Sequence, residues 1–280
     1  MHQYIFIIGA AKCGTTALSD ILGQCPEICL SKLKESDFFT NRIFSIESIE
    51  WYKSLFDHKP NAMYRLDASV SYTLGWGNTS THIAKRIKDF APDAKLVYII
   101  RDPIERTWAS YWHDERNLKK QSSFLNSIDS SSHHVTGSKY PDRIDDYLTC
   151  FNSNQLLVVD FHRFKHDYTN VLKEIFDFIG IEGIDSKRVK KVEKNRSYRF
   201  NFLGTTILRF ISLGVVRKVV SKINPDSPIK KLIRRFITAP LPTIEQPESD
   251  VLRAIYSDGC DRIKCDYKIN LKTSSHWTEV

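Results

Sequence analysis

Near its start the chain carries a short apolar run, Tyr4-Ile-Phe-Ile-Ile8, which ends abruptly at Gly9. It continues as Gly9-Ala-Ala-Lys-Cys-Gly-Thr-Thr16 and then as Ala17-Leu-Ser-Asp-Ile-Leu22. The first run suits a parallel strand buried on both faces, and the last suits a helix. Strand, glycine-bounded loop and helix in that order form a layout that presents backbone N–H groups to an anion at a helix N-terminus. The Gly9-x-x-x-x-Gly14 spacing is that of a Walker A loop, but Thr15-Thr16 follow where Lys-Ser/Thr belongs, and the lysine lies inside the loop as Lys12. The order that places a lysine on β/γ-phosphates and a hydroxyl on Mg²⁺ is therefore missing. Backbone N–H groups of Gly14, Thr15 and Thr16 would still cradle an anion, with Lys12 as a point charge beside it. This points to an anionic nucleotide of lower charge density, with no metal expected. Packing alone also produces glycine-rich turns.

Two more buried strands are expected, Lys95–Ile100 ending at Arg101-Asp-Pro103, and Gln155–Asp160. Helical patterns follow them, Glu105 to Lys120 and Tyr168 to Ile179, the second closed by Gly180. Alternation of strand and helix predicts an α/β fold: a P-loop-like parallel sheet flanked by helices. Gln121 to Lys139, rich in Ser and His, reads as a surface loop, with His133 and His134 exposed and nothing near them to complete a metal site. From Val189 the pattern is helical and broken by prolines, Pro247 among them. One domain over 1–280 is the simplest organisation, with a donor-binding core over 1–185 and a basic helical C-terminal part over 186–280.

The charge is unevenly spread. The chain of 280 residues has a formal net charge of +8, yet residues 187–235 alone sum to +13 and leave −5 for the rest. A solvated helical face is the usual role of such a run. The alternatives are a platform for phosphate, a polyanion or an anionic membrane surface. Nucleic acid is disfavoured, because no zinc-finger spacing, RRM signature or basic zipper accompanies the charge. Residues 200–223 are fairly apolar but are interrupted by Asn201, Arg209, Arg217 and Lys218, so they suit a surface-lying amphipathic face (Phe202, Leu203, Leu208, Ile211) or core packing rather than a span. Six cysteines without C-x-x-C pairs, and an N-terminus that enters a strand at once, lead to the expectation of a reduced, cytoplasmic protein, peripheral to a membrane if at all.

Five further segments occur in a fixed order: Lys12-Cys-Gly-Thr-Thr-Ala-Leu18, Lys34-Glu-Ser-Asp-Phe-Phe39, Asp67-Ala-Ser-Val-Ser-Tyr72, Arg101-Asp-Pro-Ile-Glu-Arg106 and Ser110-Tyr-Trp-His113. The set resembles the sulfotransferases that use 3′-phosphoadenosine 5′-phosphosulfate (PAPS), in particular a carbohydrate and bacterial branch similar to heparan sulfate sulfotransferases. Phe176–Gly180 and a closing segment Leu271–Trp277 extend the resemblance over most of the chain. It implies that Lys12, Cys13, Gly14, Thr15, Thr16 and Ala17 form the 5′-phosphosulfate loop, with Lys12 stabilising the departing phosphate. It further implies that Glu35 is the general base, that Arg101 binds the 3′-phosphate, and that His113 lies in the active site. Lys34, Asp67, Ser69 and Tyr72 are implied to lie near donor and acceptor. The acceptor implied is a hydroxyl, or less readily an amine, of a saccharide or glycoconjugate, which the basic segment would suit if anionic or lipid-linked.

Three departures qualify the match. The family's 3′-phosphate serine falls on Ala109, with Ser110 one place later, and one helical residue turns a side chain by about 100°. Ala68 stands where heparan-type enzymes have a lysine, which counts against their polysaccharide as acceptor. Arg199 resembles a basic position of a late cofactor loop only loosely. Chemically, sulfuryl transfer needs a base near a hydroxyl, an anion cradle and positive charge on the leaving phosphate. Glu35 would serve if Phe38 and Phe39 partly bury it, since desolvation raises a carboxylate pKa. The plainer readings stay open here: Lys34-Glu35 as a surface pair, His113 as a structural histidine, Asp67 as a cap, and Arg101 and Arg106 as anchors for carboxylates. So do a P-loop kinase or nucleoside triphosphatase, and a non-catalytic polyanion- or membrane-binding protein.

Overall fold

A computed structural model describes residues 2–40, 46–74, 80–116, 123–182, 199–200, 236 and 238–277. Most of the basic segment 187–235, and with it the amphipathic face from Phe202 to Ile211, lies outside the described residues.

Five parallel strands form the central sheet: β1 (Gln3–Gly9), β2 (Ile28–Leu30), β3 (Tyr64–Ala68), β4 (Lys95–Ile100) and β5 (Leu156–Asp160). Their order is β2-β3-β1-β4-β5, with Phe6 opposite both Asp67 and Leu96. Near-continuous apolar runs make β1 and β4 the centre, where Ile5–Ile8 and Leu96–Ile100 are almost wholly shielded from solvent. β1, β4 and β5 lie where the sequence places them. β2 and β3 carry weaker signals, because β2 is three residues long and β3, Tyr64-Arg-Leu-Asp-Ala68, interrupts its apolar run with Arg65 and Asp67.

Helix α1 (Thr15–Leu22) packs on β1 and β3. It is followed by α2 (Ile46–Ser54), α3 (Ser71–Leu74), α4 (Ser80–Phe90) and α5 (Pro103–Arg116). Next come α6 (Phe124–Ser127), α7 (His133–Thr136), α8 (Tyr140–Leu148), α9 (Phe161–His166) and α10 (Tyr168–Ile179). Gly180 closes α10 at φ 81°, a left-handed value that glycine adopts without a Cβ penalty. The C-terminal helix α11 (Gln246–Tyr267) packs against α5 and α8.

The structure corrects three expectations. Described residues between 123 and 139 are not a surface loop: Phe124, Ile128, Val135, His134 and Ser138 are buried, because scattered apolar side chains dock the segment onto α5. Pro247 starts a helix instead of breaking one, sitting in the first turn of α11 where its missing N–H has no intrahelical acceptor. Within the expected helical C-terminal part, Arg199–Phe200 and Thr238–Ala239 are strands, β6 and β7, paired antiparallel.

Candidate active site

β1, β3, β4 and β5 all run the same way, so the residues after each one gather at one carboxyl edge, where open α/β sheets bind ligands. From β1 comes the glycine loop. Its Ala10 N–H donates to the Ile99 carbonyl at 2.7 Å, anchoring it to β4. Gly9 has φ 150°, and a Cβ there would strike the Thr73 hydroxyl. Gly14 has φ 86° at the start of α1, and a Cβ there would lie 2.7 Å from the Phe161 ring. Lys12 also occupies the left-handed region at φ 69°. Gly14 offers no side-chain cap and the first turn holds no acid. The first N–H groups of α1 therefore keep their donors and their partial positive charge for an external anion.

Within the loop the side chains divide. Thr15 is buried, while Thr16, Ala17 and Lys12 are half-buried. Cys13 is turned inward: it is fully buried, its Sγ lies 3.9 Å from the Tyr140 hydroxyl, and its N–H is spent on the Ala10 carbonyl. Burial pushes its thiol pKa up. Its place is thus in the loop's foundation, not among the donors to a ligand.

β4 delivers Arg101. Its guanidinium donates to the Glu105 carbonyl and lies 5.9 Å from the Phe161 ring centroid, while its buried Nε has no hydrogen-bond partner among the described residues. Phe161, the first residue after β5, thus fills the space a Gly14 side chain would need and lies beside Arg101. It is a site residue that no motif announces. Behind Arg101, the Asp102 carboxylate caps α5 by accepting from Ile104 N–H at 2.8 Å and Glu105 N–H at 2.9 Å. Its other oxygen accepts from the Ser274 hydroxyl and from Trp277 Nε1 at 2.9 Å, which ties the 271–277 segment to the Arg-Asp-Pro turn.

β3 fixes Glu35. Glu35 adopts φ 58°, and its N–H donates to the Ala68 carbonyl at 3.3 Å. Oε2 accepts from Val70 N–H at 2.7 Å and Oε1 pairs with Lys34 Nζ at 3.0 Å, leaving the side chain 30% exposed. Lys34 and Glu35 are therefore an ion pair and a positioned carboxylate at once. Phe38 and Phe39 do not supply the expected cover: the 3₁₀ turn they begin rolls both rings into the core, onto Tyr52, Tyr72 and Phe90.

Asp67, Ser69 and Tyr72 are fully buried and cannot touch an acceptor as they stand. Asp67 instead accepts from four hydroxyls: Tyr72 at 2.7 Å, Ser36 at 2.8 Å, Ser69 at 3.1 Å and Tyr52 at 3.1 Å. Burial raises its carboxyl pKa, and the four hydroxyls oppose that rise. Because Ser36 follows Glu35 and Ser69 Oγ accepts from Asp37 N–H at 3.3 Å, the cage fixes the turn that carries the carboxylate.

The remaining candidates lie along α5. Ser110 is buried and its hydroxyl is 3.0 Å from His134 Nδ1, so it faces α7. His113, half-buried, is ten residues into α5, about 15 Å along its axis. Arg199 is exposed on β6, 5.9 Å from the Trp112 ring of α5. Arg106 is almost wholly buried and anchors no carboxylate in these contacts: Nε donates to the Ala11 carbonyl at 3.1 Å and Nη1 to His134 at 2.8 Å, tying the glycine loop to α7. Nor are the paired histidines simply exposed. His134 is buried, and His133 Nε2 meets Asp114 Oδ2 at 2.8 Å.

Comparison with known proteins agrees with this arrangement. Human heparan sulfate glucosamine 3-O-sulfotransferase 6 is 24% identical over 203 residues, covering 70% of this chain and 55% of that protein. Mouse carbohydrate sulfotransferase 15 is 22% identical over 259 residues, covering 69% and 46%. The chain thus spans about half the length of these curated relatives. A crystal structure of a sulfotransferase from Alicyclobacillus acidocaldarius shares the fold with a TM-score of 0.58 at 24% identity, over 80% of this chain and 98% of that one. The family model for the sulfotransferase domain matches residues 2–201, which include the glycine loop, Glu35, Arg101 and Phe161. The chain belongs to the sulfotransferase domain family.

Proposed function

We propose that the chain transfers a sulfuryl group from PAPS to a saccharide hydroxyl, with Glu35 as general base. The observation that carries this reading is the buried, unpartnered Nε of Arg101, which shares the Phe161 ring with the uncapped N-terminus of α1. A donor with phosphate groups at both ends of one ribose gives each cationic feature its own anion. The α1 N–H groups with Lys12 take the 5′-phosphosulfate, and Arg101 takes the 3′-phosphate.

In the reaction, Glu35 removes the acceptor hydroxyl proton as the acceptor oxygen bonds to sulfur. The bond from sulfur to the bridging oxygen breaks, and its electron pair stays on the 5′-phosphate, where Lys12 and the helix terminus stabilise the added charge. Glu35 can do this while bonded to Val70 and Lys34, because a carboxylate offers about four lone-pair sites. Lys34, 3.0 Å from Oε1, keeps the carboxylate aimed. The names of the relatives and the basic segment support a saccharide, anionic or lipid-linked, as acceptor, with a membrane surface as one place to meet it.

The test is an acceptor screen with sulfur-labelled PAPS on glycan, phenol and lipid pools, using the native chain and Glu35→Gln. The native chain should label glycans. The variant should lose about 10²- to 10⁴-fold in transfer while binding adenosine 3′,5′-bisphosphate unchanged. Near-native turnover by Glu35→Gln would remove Glu35 as base.

A further inference from the structure

We infer that Asp114, His133 and His134 form a binding site for a zinc-like divalent cation, between α5 and α7 and apart from the Glu35 carboxylate. One ligand atom from each lies within 4.8 Å of the others. The Asp114 side chain is 7% exposed and the His133 side chain 47%, so the cluster is rooted in the protein and opens to solvent on one side.

The chemistry favours a cation over a simple ion pair. The two imidazole rings lie 3.9 Å apart at 42°, and the Asp114 carboxylate meets one of them at 2.8 Å. Two imidazoles and a buried carboxylate make an N₂O donor set of the kind that selects zinc over magnesium or calcium. Tetrahedral zinc spaces its ligand atoms about 3.4 Å apart. The 2.8 Å pair and the 4.8 Å limit bracket that spacing, so small side-chain rotations suffice.

The surroundings prepare the site. His134 Nδ1 lies 3.0 Å from Ser110 Oγ, an outer partner that fixes the orientation of the ring. The backbone of the pair is held from behind. Arg106 Nη1 and Thr107 Oγ1 donate to the His134 carbonyl at 2.8 and 3.3 Å, and Ser132 Oγ accepts from Val135 N–H at 3.3 Å to cap α7. Three protein ligands and a solvent-facing fourth position complete the coordination. A bound ion would brace α7, and through Arg106 the Ala11 carbonyl of the glycine loop.

The experiment uses the full chain stripped with chelator and titrated with Co²⁺ alone, read by visible absorption, and with Zn²⁺ by calorimetry. One equivalent should produce the intense bands of low-symmetry cobalt and raise the melting temperature, with no response to Mg²⁺. His133→Gln and Asp114→Asn should each weaken binding by more than the roughly 10- to 100-fold of an outer-shell change. Far-UV circular dichroism of each variant checks that it is folded, and His133, half-exposed, is the position least prone to disturb packing. Absence of cobalt bands at one equivalent, or native affinity in both folded variants, would overturn the site.

Discussion

Asp67 is the residue on which the turn carrying Glu35 depends. Its carboxylate collects Ser36, Ser69, Tyr52 and Tyr72, and through Ser36 and Ser69 it sets the backbone of Glu35 and Asp37. Burial raises the Asp67 pKa above its ordinary 3.8, so the folded state holds that proton more tightly than the unfolded chain does. The linked stabilisation is complete below that ordinary value and is lost as pH climbs through the raised folded value. Native protein should therefore lose melting temperature relative to Asp67→Asn as pH rises from about 4. A gap that stays constant to pH 8 would show that Asp67 does not titrate this way. The sequence reveals the acid-x-Ser-x-x-Tyr spacing but not its use, because alternation along so short a strand does not tell which face of β3 is covered. Glu35 is legible only through the segments around it. The φ of 58° and the Val70 N–H that aim it arise from contacts 35 residues apart.

At the scale of elements, the signal is strongest where one segment decides its own structure. β1, the glycine loop and α1 follow from apolar run, glycines and amphipathic turn within about twenty residues, and α10 from its period and Gly180. The region from 123 to 139 misleads because serines and histidines are polar in composition but not in place. Arg106, Thr107 and Ser110 on α5 bond to His134 of α7, satisfying groups that a linear reading assigns to solvent. Phe161 is silent for the same reason: its role exists only once β5 lies beside β4. The closing segment is held at one end by Asp102, which caps α5 and bonds Trp277, alongside Arg253 on the His276 carbonyl and Lys272 on Asp261. Trp277→Phe keeps an aromatic ring but removes the N–H donor, and should cost about 1.5–2 kcal/mol, the lower part of the range for a bond to a charged group because Trp277 is half-exposed. Urea unfolding measures this as a lower midpoint with unchanged slope. An unchanged midpoint would mean that the 271–277 segment does not rest on Asp102.

For the molecule as a whole, the parallel sheet converts distance in sequence into one edge. Gly14, Glu35, Arg101 and Phe161 span nearly 150 residues, yet each follows, or is tied by hydrogen bonds to, the carboxyl end of a strand. The net charge of +8 divides accordingly. The body outside 187–235 sums to −5 although it holds the proposed donor site, so under that proposal a few placed cations and a helix terminus, not bulk charge, would select the nucleotide. The central claim is that this edge binds a bisphosphorylated adenosine nucleotide, and calorimetry with adenosine 3′,5′-bisphosphate tests it most directly. One equivalent should bind to the native chain, Arg101→Ala should weaken it by about tenfold or more, and adenosine 5′-phosphate should be insensitive to that change. No binding of the bisphosphate at millimolar concentration, or the same loss for both nucleotides, would contradict it.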